Sequence, residues 1–88
     1  MLNFTFSNQF KKDLKLLEKR RYDMDAIFDI IGKIIWEEPL PKECREHGLS
    51  GNWAGFTECH IGFNWIMIYR FEPDSVFFVL TGTHSDLF

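Results

Sequence analysis

Three histidines carry most of the acid–base chemistry open to this 88-residue chain: His47 in "REHGL", His60 in "ECHI" and His84 in "TGTHS". An imidazole, with an ordinary pKa of about 6.5, both takes and gives up protons near neutrality. A lone histidine is most often a surface or hydrogen-bonded residue, so only joint placement turns these three into a site. Converging beside an aromatic platform and a phosphate-binding surface, they would suit metal-free RNA cleavage. One ring removes the proton of a ribose 2′-hydroxyl and another protonates the leaving 5′-oxygen. The end of "TGTHSDLF" adds to this, because Leu87 and Phe88 stand where a frayed polar tail is usual. A terminal ring is expected to be buried or bound.

Other chemistries fit less well. The pairs Cys44/His47 and Cys59/His60 invite a metal, but neighbours on a strand point to opposite faces and no spacing matches a zinc module. No metal or other cofactor is expected, and Cys59 reads as a small buried hydrophobe. A Cys–His nucleophile pair lacks a helix start or a nucleophile elbow to activate it.

The phosphate-binding surface, if there is one, lies in "KKDLKLLEKRR". Residues 1–43 carry eight basic and eight acidic side chains, whereas residues 44–88 carry two basic (Arg45, Arg70) and five acidic, giving a net charge of −3. Lys11, Lys12, Lys15, Lys19, Arg20 and Arg21 stand together against Asp13 and Glu18. Such a run is ordinarily a solvated helix face, and otherwise a phosphate-binding stripe. Composition alone does not choose. The start has no signal-peptide pattern, no apolar run reaches the roughly 20 residues of a membrane span, and two cysteines make no disulfide framework. A single cytoplasmic domain over residues 1–88 is therefore expected.

The elements that must position these residues follow from periodicity. "LNFTF" alternates as a strand. Ser7 is an N-cap for a helix of about residues 8–21, with Phe10, Leu14 and Leu17 on one face. Asp23 or Asp25 caps a second helix through about Trp36, with a stripe of Ile27, Ile30, Ile31, Ile34 and Ile35, and "PLP" ends it. "NWAGFTECHI", "WIMIYRF" and "SVFFVLTGTH" read as strands joined by "GFN" and "EPDS" turns. The nearly unbroken apolar run of "WIMIYRF" suits a central strand covered on both faces. The expected fold is α+β: an N-terminal helical hairpin packed on a mostly antiparallel twisted sheet of about four strands, ordered first strand, last strand, middle strand.

The stretches "EEPLPKECREHGLSGNWAGFTECHIGFNWIMIYRF" and "LTGTHSDLF" together resemble bacterial toxins of the RelE superfamily, in its YafQ branch. Members carry "EPLP…(D/E)H.L.G.W.G(Y/F)R(E/D).HI….W(I/L)(L/M)IY(R/K)" and end in "RTGTHS.LF". The opening "FSNQFKKDLKLLEKRRYDM" also fits their first helices, so the likeness covers nearly the whole chain. It implies a RelE-like fold and a ribosome-dependent mRNA endonuclease that cleaves by 2′-hydroxyl attack without a metal. It also implies a cognate antitoxin as partner, with operator DNA reached only through that antitoxin. Carried over by position, His47, His60 and His84 match the functional histidines, Trp65 the site tryptophan and Phe88 the functional terminal phenylalanine. The resemblance thus implies acid–base work shared by His60 and His84, charge stabilisation by His47, and substrate contact by Asn64 and Trp65. The basic first helix would dock on ribosomal RNA.

Three positions depart from the branch pattern. Thr57 and Leu80 stand where arginines are usual, and Asn64 where aspartate is frequent. An arginine that stabilises charge developing in a transition state is worth about 10²–10³ in rate. An attenuated toxin that keeps antitoxin binding and operon autoregulation is therefore the alternative, with an unrelated binding module behind it. With simple hairpin loops, Thr57, Leu80 and His84 share one sheet face and His60 takes the other. Bringing His60 to His84 then takes either a bulge that re-aims His60 or a different register.

Overall fold

The computed structural model describes residues 1–87. Phe88 lies outside the described residues. The Ser7 hydroxyl accepts the Phe10 N–H at 2.9 Å and starts helix α1 (Asn8–Lys19), which buries Phe10 and Leu17. Arg21 adopts a left-handed φ of 62° and closes the helix, with its N–H on Glu18 O and that of Tyr22 on Leu17 O. The Asp23 carboxylate caps α2 (Met24–Ile35) through the N–H groups of Asp25 and Ala26. All five isoleucines of the α2 stripe are buried. Glu37 ends α2 as Arg21 ends α1, at a φ of 57°.

The sheet has strands β1 (Asn3–Phe6), β2 (His47–Gly48), β3 (Thr57–Gly62), β4 (Trp65–Glu72) and β5 (Ser75–Gly82). Their order is β1-β5-β4-β3-β2, with β1 parallel to β5 and every other pair antiparallel. The expected order and helical hairpin hold. The fifth strand is β2, two residues long and too short for periodicity to reveal. A four-residue turn of helix, α3 (His84–Leu87), comes after β5, and one-turn 3-10 helices at Lys42–Cys44 and Gly51–Trp53 flank β2.

The central strand is covered on both sides, and Trp65 through Tyr69 are all buried. Met67 and Tyr69 join Cys59, Val76 and Phe78 in the core under the helices. Ile66 and Ile68 point the other way and are equally buried.

A bulge in β5 sets the rest. Tyr69 pairs with Phe78, but Ile68 pairs with Leu80, so Val79 is an extra residue. Parity after it is reversed. Leu80 therefore shares a face with Ile68 and Glu58, while Thr57 pairs with Tyr69 on the helix-covered face. The simple register, with Thr57 and Leu80 together and His60 opposite, is corrected: the bulge carries Leu80 and the chain beyond it onto the face of His60. Beyond Phe6, α1 completes the free edge of β5. The Ser7 N–H donates to Phe78 O at 2.9 Å, the Ser7 hydroxyl to the bulge carbonyl Val79 O at 2.7 Å, and the Thr81 N–H to the Asp13 carboxylate at 3.1 Å.

Candidate active site

Four side chains meet on the sheet face away from the helices. His47 comes from β2, Glu58 and His60 from β3, and His84 from α3. Cross-strand pairing of His47 with Glu58 and the two-residue strand period from Glu58 to His60 put these three side by side. Ring centroids are 6.5 Å apart for His47 and His60 and 6.1 Å for His60 and His84. The largely buried Glu58 carboxylate lies between two of the rings, its Oε1 at 3.6 Å from His47 Nε2 and 3.7 Å from His60 Nε2. These are ion-pair distances that strengthen when either ring is protonated.

Each imidazole is held differently. His47 Nδ1 is 2.7 Å from the Arg45 carbonyl, which fixes a proton on Nδ1 and turns Nε2 toward Glu58. Burial, then the Arg45 charge, pushes the His60 pKa below its ordinary value, against the opposing Glu58 carboxylate; His84 and His47 add to the fall. His60 is thus biased to the neutral, proton-accepting form. His84 is exposed and held at the chain's turn. Its backbone N–H donates to Asn64 Oδ1 at 3.4 Å, and its Nδ1 lies 3.3 Å from the same oxygen. Asn64 reaches there from the β3–β4 turn at a φ of 56°, a conformation asparagine tolerates better than most residues. Thr83 and Asp86 cap the His84 turn reciprocally: the Thr83 N–H donates to Asp86 Oδ2 at 3.1 Å and the Asp86 N–H to Thr83 Oγ1 at 3.2 Å. Arg20 binds Asp86 at 3.0 Å. The Thr83 amide first, then Arg20, hold the Asp86 carboxyl below its usual range. Glu43, Arg45, His60, Phe63, Asn64 and His84 line one open cavity.

The other expected site residues divide. Trp65 is not at the surface. It is 5% exposed, meets Tyr22 edge to face at 5.0 Å, and its indole N–H donates to Thr81 Oγ1 at 3.0 Å. Its place is the core behind the site. Lys11, Lys12, Lys15, Lys19, Arg20 and Arg21 all lie on or just after α1 and reach solvent, with Arg20 already committed to Asp86. Leu80 is half-buried on the cluster's face, paired across from Ile68.

Sequence reasoning missed Glu58, Arg45 and Phe63. Glu58 was detectable as a carboxylate one strand period from His60. Cys59, between them, points into the core, where burial pushes its thiol up to about 12, so it is no nucleophile near neutral pH. Among the described residues no group of three or more His, Cys, Asp or Glu side chains is arranged to hold a metal ion, and no helix is long and apolar enough to cross a membrane.

Comparison with known proteins gives consistent results. The family model described as a bacterial toxin of type II toxin-antitoxin system, YafQ, matches residues 2–88. The protein named mRNA interferase toxin YafQ of Escherichia coli (strain K12) is 37% identical over 84 residues, covering 94% of this chain and 91% of the relative. The E. coli DinJ-YafQ toxin-antitoxin complex matches with a TM-score of 0.92 at 35% identity, over 99% of this chain and 97% of the other. YafQ from E. coli matches with a TM-score of 0.94 at 34% identity, over 100% and 99%.

Proposed function

The chain belongs to the YafQ family of toxins of type II toxin–antitoxin systems, and on that premise we propose that it is a ribosome-dependent mRNA endonuclease working through His60 and His84. The observation that carries this reading is the convergence of three imidazoles and one buried carboxylate on a single open face. In the proposed step, neutral His60 takes the proton of a ribose 2′-hydroxyl and the oxygen attacks phosphorus. The bond to the 5′-oxygen breaks, and protonated His84 gives that oxygen its proton. The products are a 2′,3′-cyclic phosphate and a 5′-hydroxyl, so atoms and charge balance without a cofactor. The 6.1 Å between the two rings leaves room for one phosphodiester. His47, set against Glu58 at the edge of the cluster, binds or stabilises charge in this reading.

A relative of the same fold has been solved with its antitoxin DinJ, which supports a cognate antitoxin as this chain's inhibitor. The four lysines of α1 supply positive charge for ribosomal RNA, and the place of action is the cytoplasm. Attenuation retains one specific support: Leu80, on the cluster face, leaves uncharged a position where the branch pattern has arginine. Thr57 gives it none, because it lies on the other face.

The test is cleavage of a defined mRNA on purified ribosomes. Codon-phased cuts by wild type that vanish in His84→Ala are expected. If both proteins leave identical, uncut message, the endonuclease assignment fails. Leu80→Arg should raise the rate if the missing arginine limits it.

A further inference from the structure

We propose that Arg45 and Phe63 form the substrate clamp of this site, Arg45 holding the scissile phosphate and Phe63 stacking on an adjacent nucleobase. The clamp rests on the ribonuclease reading above. Both residues line the cavity that contains His60 and His84.

Arg45 stands at the end of the Lys42–Cys44 turn with φ 45° and ψ 49°, in the left-handed region. Glycine would adopt that backbone freely and arginine does so at a cost. Its carbonyl fixes the His47 ring, a job any residue could do, so the guanidinium needs its own explanation. That group makes no ion pair among the described residues, and its charge reaches His60. The alternative cation of the second half, Arg70, is already used: it lies 3.6 Å from Glu72 and over the rings of Phe56 at 5.3 Å and Phe77 at 5.5 Å. Arg45 is thus the cation left to meet a phosphate between the imidazoles, supplying charge that Leu80 does not.

Phe63 is fully exposed at the tip of the β3–β4 hairpin, beside the Asn64 that holds His84. Among the described residues no ring contact accounts for an aromatic side chain there. Single-stranded RNA is bound by just this pairing of a cation for the backbone and a ring for an unstacked base.

The clamp is tested with a short oligoribonucleotide carrying one 2′-deoxy residue at the cleavage position, its binding followed by fluorescence anisotropy across salt concentrations. Arg45→Gln should lower the log–log salt slope by about 0.7, and Arg45→Lys should restore it. Phe63→Ala should weaken binding roughly 5- to 150-fold with the slope unchanged, and Phe63→Trp should recover it. Arg45→Gly should keep or raise the melting temperature while losing affinity, which separates binding from folding. Wild-type affinity and slope in both Arg45→Gln and Phe63→Ala would overturn the clamp, as would a wild type that binds no oligonucleotide. Ribosomal cleavage indistinguishable between wild type and His84→Ala would instead overturn the ribonuclease reading beneath it.

Discussion

Removing one hydroxyl, in Ser7→Ala, tests the link between the first helix and the bulge that aims the site. That oxygen accepts the Phe10 N–H and donates to Val79 O. Loss of an N-cap costs about 1 kcal/mol, within a range of about 0.5–2. The bond to the bulge carbonyl adds about 1 kcal/mol net. Together the loss is about 2 kcal/mol, a large share of the roughly 5–15 kcal/mol typical of a whole domain. For a chain of this size that corresponds to a fall in Tm of roughly 8–16 °C. Urea denaturation monitored by tryptophan fluorescence gives the free energy, and Ser7→Thr, which keeps an oxygen in place, should recover most of it. Amide exchange at Phe10 should accelerate in the alanine variant alone. A Ser7→Ala midpoint within about 0.5 kcal/mol of wild type, at unchanged slope, would mean that cap and bulge hold without this hydroxyl.

Four further outcomes are expected. Glu37→Gly, which relieves a left-handed φ of 57° at the end of α2, should stabilise the fold by about 0.5–1 kcal/mol in urea melts. Thr81→Val keeps the shape but strands the buried Trp65 indole N–H, losing also the bond from the Thr81 hydroxyl to Ile66 O at 2.9 Å; a loss of about 2–3 kcal/mol is expected by the same assay. Because the His60 pKa is lowered, the ascending limb of a single-turnover pH–rate profile should lie below about pH 6.5. Glu58→Gln, which removes the one contribution raising that pKa, should move the limb lower still. The same shift bears on stability: the unfolded chain binds the proton more readily than the folded one, so this contribution is full above the unfolded value of about 6.5 and declines as pH falls through it toward the folded value, a trend that His60→Gln should flatten in melts taken across that range.

Much of this molecule was legible in its residues. Ser7 announced the first helix start and the pair Asp23 or Asp25 the second, and the α2 isoleucine stripe and the apolar run of β4 announced what the sheet buries. Three histidines could be singled out by chemistry and drawn together by family resemblance. Register was not legible. The bulge at Val79 depends on how a single extra residue is absorbed between two strands, and alternating side chains carry no signal for it until α1 supplies a partner for the exposed carbonyl. The same limit misplaced Thr57. The burial of Trp65 was hidden for another reason: the identity of a motif residue beside a site does not disclose that it also fills the core behind it. Arg45 and Phe63 were invisible because their significance is local, one an arginine in a glycine-like backbone and the other a fully exposed ring.

The parallel pairing of β1 with β5 joins residues 3–6 to residues 75–78, and that distance along the chain imposes an order in time. The α1–α2 hairpin and the β3–β4 hairpin close from near neighbours, whereas the β1–β5 ladder closes the longest loop in the fold and bears the greatest entropy of closure. His60 and the chain leading to His84 both ride on local hairpins, β3–β4 and β4–β5. A nascent chain in which β5 has not yet been made therefore holds two imidazoles and no partner across the cavity. The site is whole only once β5 has paired with β4, whose register carries the chain on to His84 beside His60.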